Sequence, residues 1–93
     1  MNYQNKLSKD IKKLSNKEYY LHQFLISLMS VAEFRDIAMR WQIVQLLQKK
    51  IPHREIATNL GVGIATVTRC SLEFKKPGNG YLKALQYLNL VRK

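Results

Sequence analysis

The stretch HREIATNLGVGIATVTRCS, residues 53–71, contains two short helical patterns joined by a glycine-containing turn. In the first pattern Ile56 and Leu60 lie four residues apart, on one face of a helix, and Ala57 is small enough for a second helix to approach closely. Gly61 follows at the position where helices often end on a residue with left-handed backbone angles. The spacing therefore predicts a helix that ends at about Leu60 and packs against the next one.

The second pattern places apolar residues on one side of a helix and small or cationic residues on the other. Val67, Cys70 and Phe74 recur at three and four residues and predict the inward side. The outward side carries Ala65, Arg69, Leu72 and Lys76, flanked by Thr66 and Thr68. We interpret the pair as a helix-turn-helix, with a recognition helix from Ile64 to about Phe74 whose first turn enters the major groove of DNA. A plain αα-hairpin inside a helical domain is the alternative, and motif matching alone does not separate the two.

The charge of the chain favours a polyanionic partner. Its 93 residues include 16 Lys and Arg against 6 Asp and Glu, a formal net charge of +10. From Lys49 onward nine basic residues stand against two acidic ones, so +7 of that charge lies on the part with the predicted helix-turn-helix. Such an asymmetry is typical of nucleic-acid-binding proteins. The hydrophobic fraction of 46% is large for so short a chain, and it predicts a subunit interface.

Other classes of protein find little support in the residues. His22, His53 and Cys70 are not at metal-ligand spacing, and no nucleophile has a base placed near it, so we expect neither a metal site nor an enzyme. The single cysteine excludes an internal disulfide and is expected to be a buried, unreactive thiol. No apolar run is long enough to span a bilayer and no signal-peptide core is visible, so we expect a cytoplasmic protein without a membrane partner.

The chain as a whole is predicted to be all-α, with about six helices in a single domain over residues 1–93. Residues 1–50 are assigned to dimerisation, residues 53–74 to the helix-turn-helix and residues 81–91 to a C-terminal helix. Capping boxes are predicted at Ser15 with Glu18 and at Ser30 with Glu33, the second of which starts a helix near Val31. The second and third helices are apolar on more than one side, so both are expected to be packed on more than one side.

DNA contacts can be assigned residue by residue. The backbone amides of Gly63, Ile64 and Ala65, at the start of the recognition helix, can meet a phosphate or a base edge. Arg69 is the side chain most capable of bidentate guanine recognition, and Thr68 could contact a base or a phosphate. Phosphate contacts are assigned to His53, Arg54, Lys75 and Lys76. For the charged residues, a solvated side chain that touches no DNA is the alternative.

The segment GVGIATVTR, residues 61–69, preceded by REIATNL and RWQIVQLLQKK, resembles the Trp repressor superfamily. That family carries a G-x-[GS]-x-A-T-[IV]-[ST]-R turn and recognition helix, and the match runs from about Leu28 to Ser71. The resemblance implies an all-helical, intertwined homodimer whose two recognition helices lie in successive major grooves of a near-palindromic operator. It implies, accordingly, a sequence-specific repressor that binds double-stranded DNA.

The same resemblance implies residues for a corepressor, which in the best-known member is L-tryptophan. Arg40 and Arg69 match the two arginines between which the amino acid binds. Thr66 matches a floor residue, and Leu28 matches a wall contributed by the partner subunit.

Three positions depart from that pattern. Cys70 stands where the member has a glycine beside the indole, Glu73 where a serine meets the amino group, and Val31 where a threonine begins a helix. A sulfur-bearing side chain in place of hydrogen narrows the indole slot. Without a ligand, Arg40 could instead pair with Asp36, four residues earlier on the same helix.

Three hypotheses for the function therefore stand side by side. The first is a homodimeric, sequence-specific DNA-binding regulator that needs no effector. The second is a repressor gated by an amino acid such as tryptophan. The third is a non-regulatory interaction or RNA-binding module, in which helices and positive charge serve shape recognition. A preference for structured RNA over duplex DNA would favour the third.

Overall fold

The computed structural model describes residues 2–88, which form six α-helices: α1 (Tyr3–Leu14), α2 (Glu18–Leu28), α3 (Val31–Gln48), α4 (His53–Leu60), α5 (Ile64–Phe74) and α6 (Gly80–Tyr87). No strand occurs among those residues, so the predicted all-α class is confirmed. The predicted C-terminal helix begins at Gly80, and the part predicted for residues 89–91 lies outside the described residues. Two compact units divide the chain between Asp36 and Ile37. The prediction of a single domain over residues 1–93 stays a prediction.

The junction between α1 and α2 differs from the predicted capping box at Ser15. Ser15 has helical backbone angles (φ −64°, ψ −23°) and ends α1, with its hydroxyl donating to the Lys12 carbonyl at 2.6 Å. A residue that caps the start of a helix needs extended backbone angles, so Ser15 cannot serve Glu18 in this way. Lys17 precedes α2 instead and makes no side-chain cap hydrogen bond. The prediction of a capping box at Ser15 was wrong, although the helix it announced is present.

The capping box at Ser30 is confirmed. The Ser30 hydroxyl accepts from the Glu33 amide at 3.1 Å, and the Ser30 amide donates to a Glu33 carboxylate oxygen at 2.8 Å. Each side chain thereby satisfies a backbone group that the first turn of α3 leaves without a partner. The hydrogen bonds from Ser30, first from its backbone and then from its hydroxyl, hold the pKa of Glu33 below its usual range.

The first unit leaves much of its apolar surface exposed. Neither α1 nor α2 contains a buried residue, although α2 is predominantly apolar. Val31 is 77% exposed, Tyr19 70% and Leu28 52%. The expected burial of α2 on more than one side is therefore not met within one chain.

The second unit has a core built around the helix-turn-helix. Five buried residues, Ile43, Ile56, Ala57, Val67 and Cys70, pack together from α3, α4 and α5. The predicted inward positions of α4 and α5 are thus confirmed as core positions. The one small side chain on α4, that of Ala57, lies in this cluster, where α4 and α5 pack against each other. Burying side chains of this size provides the main stabilisation of such a unit.

An aromatic stack joins α6 to the second unit. The ring of Tyr81 stacks on that of Trp41 with centroids 6.5 Å apart, and it meets Phe74 edge to face at 6.5 Å. Asn79 caps α6 by accepting from the amides of Tyr81 and Leu82, and its side-chain amide donates to the carbonyls of Phe74 and Lys76. The predicted loop between α5 and α6 is therefore held by one asparagine.

Candidate nucleic-acid interface

The turn between α4 and α5 depends on Gly61. Its backbone angles (φ 67°, ψ 34°) are left-handed, as the sequence predicts for the end of α4. The amide of Val62 donates to the Ala57 carbonyl at 3.1 Å, and that of Gly61 to the Thr58 carbonyl at 3.4 Å. This is the hydrogen-bond pattern of the Schellman motif, which satisfies the last carbonyls of a helix and turns the chain sharply. The turn sets the direction in which α5 leaves α4.

The start of α5 has no side-chain cap. Gly63 is the residue before the helix, and it has extended backbone angles (φ −68°, ψ 146°). The carbonyl of Gly63 accepts from Thr66 and Val67, but glycine has no oxygen to offer to the first amides of the helix. Those amides have no intrahelical acceptor, and the helix dipole gives this end a partial positive charge. The start of α5 is therefore suited to an anionic oxygen.

The two sides of α5 differ sharply in burial. Val67, Cys70 and Ser71 are buried against the core. The opposite side is exposed along the whole helix, and it consists of Ile64, Ala65, Thr68, Arg69 and Leu72. Small residues near the start let the backbone approach a surface closely, and the guanidinium of Arg69 follows one turn later. The arrangement resembles a reading surface and not a packed helix face.

The other residues predicted to contact DNA flank this surface in the sequence. His53 is half-buried at the start of α4, and Arg54 beside it is exposed. Lys75 and Lys76, directly after α5, are both exposed. The ammonium group of Lys76 lies 2.8 Å from the Glu73 carboxylate, so part of its charge is neutralised within the protein. Ion pairs of the described residues are Lys76–Glu73 and Lys6–Asp10, and neither includes the expected pair of Arg40 with Asp36.

A cavity of about 270 Å³ opens beside α5. It is lined by Arg40, Arg69, Cys70, Glu73 and Tyr81, so it brings together four of the residues named for a ligand. Burial raises the pKa of the Cys70 thiol, and the nearby charges of Arg40 and Arg69 offset this only in part. The thiol is therefore protonated and unreactive, and it lies within electrostatic range of both guanidinium groups.

The remaining predicted ligand residues lie elsewhere. Thr66 is exposed on α5 and does not line the cavity, and Leu28 belongs to the first unit. Tyr81 was missed by the sequence reasoning. Its position in the cavity depends on the stack with Trp41, a contact between residues forty positions apart, for which no local pattern gives a signal.

A larger, open hollow of about 690 Å³ lies next to the first cavity. Trp41, Pro77, Tyr81 and Ala84 give it a mainly apolar lining, and Asn79 at its edge already uses its side chain to hold the loop. A surface of this kind offers contact area and few polar groups for specific recognition.

Neither a metal cluster nor a membrane span is found in the part of the chain that the structure describes. No three His, Cys, Asp or Glu side chains of residues 2–88 come together as potential metal ligands. None of the six helices has both the length and the apolar character that crossing a bilayer requires.

Comparison with known proteins agrees with this geometry. The family described as Trp repressor protein matches residues 3–89. A Trp operon repressor homolog of Haemophilus influenzae is 35% identical over 83 residues, which cover 87% of this chain and 82% of that protein. A homolog of the same name from Chlamydia trachomatis is 35% identical over 71 residues, covering 75% and 76% of the two chains.

A shorter match is closer in identity. A Trp operon repressor homolog of Mannheimia succiniciproducens is 53% identical over 51 residues, covering 53% of this chain and 50% of that protein. No solved structure matches the chain significantly. With the family match over nearly the whole chain and an exposed reading helix, this chain belongs to the Trp repressor family and is a DNA-binding transcriptional repressor, not an enzyme.

Proposed function

We propose that two copies of this chain form a homodimer that represses transcription by placing both α5 helices in successive major grooves of a near-palindromic operator. The observation that carries the proposal is α5 itself, which buries Val67 and Cys70 while it leaves Ala65, Thr68 and Arg69 exposed behind an uncapped start. A helix of this form enters the major groove with its first turn, and two-fold symmetry of the protein matches that of the operator. A cytoplasmic location follows from the proposal, since the protein must act where the operator lies.

In this proposal Arg69 reads sequence and the flanking residues fix position. A guanidinium can donate two hydrogen bonds to the O6 and N7 atoms of guanine, and Thr68 can reach an adjacent base or phosphate. The amides of Gly63, Ile64 and Ala65 approach a phosphate along the helix dipole. Phosphate contacts elsewhere come from His53, Arg54, Lys75 and Lys76, with Lys76 shared between Glu73 and the DNA.

Binding-site selection from random duplexes, followed by titrations at several salt concentrations, tests this proposal. We expect a two-fold-related site and a log–log slope of about −0.9 per neutralised phosphate. Arg69→Ala should cost about 1–3 kcal/mol, concentrated at one base pair of each half-site, because alanine cannot hydrogen-bond to guanine. Lys75→Ala is the matched control, and it should weaken binding equally on every sequence and lower the slope by about one. A wild-type protein without sequence preference would contradict the proposal.

The exposed apolar surface of the first unit supports the homodimer. Side chains such as Tyr20 and Leu28 are more than half exposed in the single chain, and α2 buries none of its residues. A second copy presents the same surface, so a two-fold interface can cover both at once. Sedimentation equilibrium should give twice the chain mass of 10.9 kDa.

A charge introduced into this surface makes the test of the dimer specific. Leu28→Glu should shift the mass toward that of a single chain, because burying an unpaired carboxylate in an interface is unfavourable. Gln23 lies on the same helix and is exposed and polar, so Gln23→Glu provides the control and should leave the mass unchanged. A wild-type monomer at micromolar concentration would contradict the homodimer.

A second candidate function, gating by an α-amino acid, is favoured by the cavity beside α5. Arg40 and Arg69 offer guanidinium groups to a carboxylate, and the Glu73 carboxylate offers an acceptor to an ammonium group. The residues therefore fit the charged end of a zwitterion, and L-tryptophan is the first amino acid to test. Two features oppose a bulky side chain: Cys70 lines the cavity, and Glu73 is already paired with Lys76.

Calorimetry with each amino acid, with and without operator, tests the gating. Coupling must appear reciprocally, so an amino acid that tightens operator binding must itself bind more tightly in the presence of operator. Cys70→Gly should strengthen tryptophan binding if the thiol narrows the site, whereas Arg40→Ala should abolish it. Operator binding that is equally tight with and without every amino acid would remove this function and leave the effector-free repressor.

A further inference from the structure

One side of α1 carries a row of lysines that the function proposed above does not use. Lys6, Lys9 and Lys13 lie three and four residues apart, so they share one side of the helix, and Lys12 borders them. All four are exposed, and we call them the lysine face. The apolar residues of α1, among them Leu7 and Leu14, lie on the other side of the helix and follow its period. The helix is therefore amphipathic, with one strongly basic side.

The lysine face is not explained by the folding of α1. Lys9 has Lys6, Lys12 and Lys13 as its neighbours at three and four residues, and like charges at this spacing destabilise a helix. The one acidic residue of α1, Asp10, pairs with Lys6 at 2.8 Å. Favourable interaction with the helix dipole accounts for Lys12 and Lys13 in the last turn, but not for Lys6 and Lys9 in the first two turns. A polyanion that neutralises the row would remove the mutual repulsion.

We propose that the lysine face is a second DNA-contacting surface, which binds backbone phosphates and reads no bases. The proposal rests on the DNA-binding function proposed above. Lys6 to Lys13 spans about 10 Å of helix axis, and a duplex presents one phosphate charge for about every 1.7 Å of its own axis. Several ammonium groups can therefore meet phosphates at once. Lysine contacts phosphate as a flexible point charge, so the face adds affinity and salt dependence without sequence preference.

The salt dependence of operator binding tests the lysine face. In the variant with Lys6→Gln, Lys9→Gln and Lys13→Gln, the log–log slope should decrease in magnitude by about 0.9 for each phosphate that a subunit no longer neutralises. The base preference should stay that of the wild type. The matched variant with Arg at the same three positions keeps the charge and should keep the slope. Asp10→Asn releases Lys6 from its ion pair and should make the slope steeper.

Each other outcome has a definite meaning. An unchanged slope in the glutamine variant, with wild-type protein binding its operator normally, overturns the proposal and leaves the repressor function intact. The same decrease in the arginine variant also overturns it, because a change in the packing of α1 would then explain the effect. If the wild type shows no sequence preference, the proposed function fails, and slopes on an arbitrary duplex still test the lysine face. Binding of the face to phosphatidylserine vesicles, with no change of slope on DNA, assigns it to a membrane surface and overturns the proposal.

Discussion

The two units of the chain contain similar helices but bury very different shares of their apolar side chains. α1 and α2 have no buried residue, whereas the second unit contains Ile43, Val44, Ile56, Ala57, Val67, Cys70 and Leu85 as its buried hydrophobic residues. The second unit therefore carries its own core and can hold the reading helix in place by itself. The first unit keeps a large apolar surface for another chain. Composition alone shows neither difference, since apolar residues occur throughout the sequence.

The strongest test of this comparison removes matched side chains from the two units. Ile56→Ala, at a fully buried position, should lower the free energy of unfolding by about 2–5 kcal/mol because it leaves a cavity in the core. Leu21→Ala, at a half-buried position of α2, should cost clearly less at concentrations where the chain is monomeric. Urea unfolding over a range of protein concentrations measures both. Equal losses in the monomer would break the comparison.

The turn within the second unit should be the next most sensitive feature. Gly61→Ala should cost about 1–2 kcal/mol, the penalty for a side chain at left-handed angles. An added Cβ there would meet no atom within 4 Å, so backbone strain is the whole cause. Gly63→Ala is the control, since Gly63 also has room for a Cβ but a φ of −68°. Thermal unfolding should separate the two variants, and equal melting temperatures would contradict the role of Gly61.

A smaller effect is expected at the cap in front of α3. Ser30→Ala should cost about 1 kcal/mol, because the first turn of α3 loses an acceptor. The pKa of Glu33 is lowered in the folded protein, so its carboxylate stabilises the fold above the unfolded-state pKa, and this contribution is lost as the pH falls through the lowered value. Circular dichroism across acidic pH should show this loss in the wild type and much less of it in the variant. Identical acid titrations would contradict the cap.

The smallest expected effect is a gain at the end of α3. Lys50 has a positive φ of 62°, and the amides of Lys50 and Ile51 donate to Leu47 and Leu46 in the same pattern as the turn at Gly61. Lys50→Gly should stabilise the second unit by about 0.5 kcal/mol, since the left-handed penalty of about 1–2 kcal/mol exceeds the added flexibility of the unfolded glycine chain. Lys49→Gly is the control and should destabilise. Chemical denaturation measures both, and a loss at Lys50 would show that its left-handed angles are free of strain.

The sequence predicted the features whose causes are local. The turn at Gly61 and the extent of α5 follow from residues within six positions of one another, and both are confirmed. Ser15 was misassigned because serine can cap either end of a helix, and backbone angles decide which. The left-handed Lys50 and the stack of Tyr81 on Trp41 depend on tertiary contacts that no short spacing encodes. The DNA contacts themselves stay predictions of the proposed function.

The hydrogen bonds of Asn79 have a consequence for the chemical ageing of the protein. Asn79 precedes Gly80, and in such a dipeptide the glycine nitrogen can attack the side-chain amide and release ammonia, which eventually leaves an aspartate or isoaspartate. The side chain is held here by two bonds to carbonyl oxygens and two from amides, which restricts the rotation that the attack requires. A carboxylate formed at this position would face the carbonyls of Phe74 and Lys76 and repel both. Slow hydrolysis of one amide would thus release α6 and open the wall of the cavity beside the reading helix.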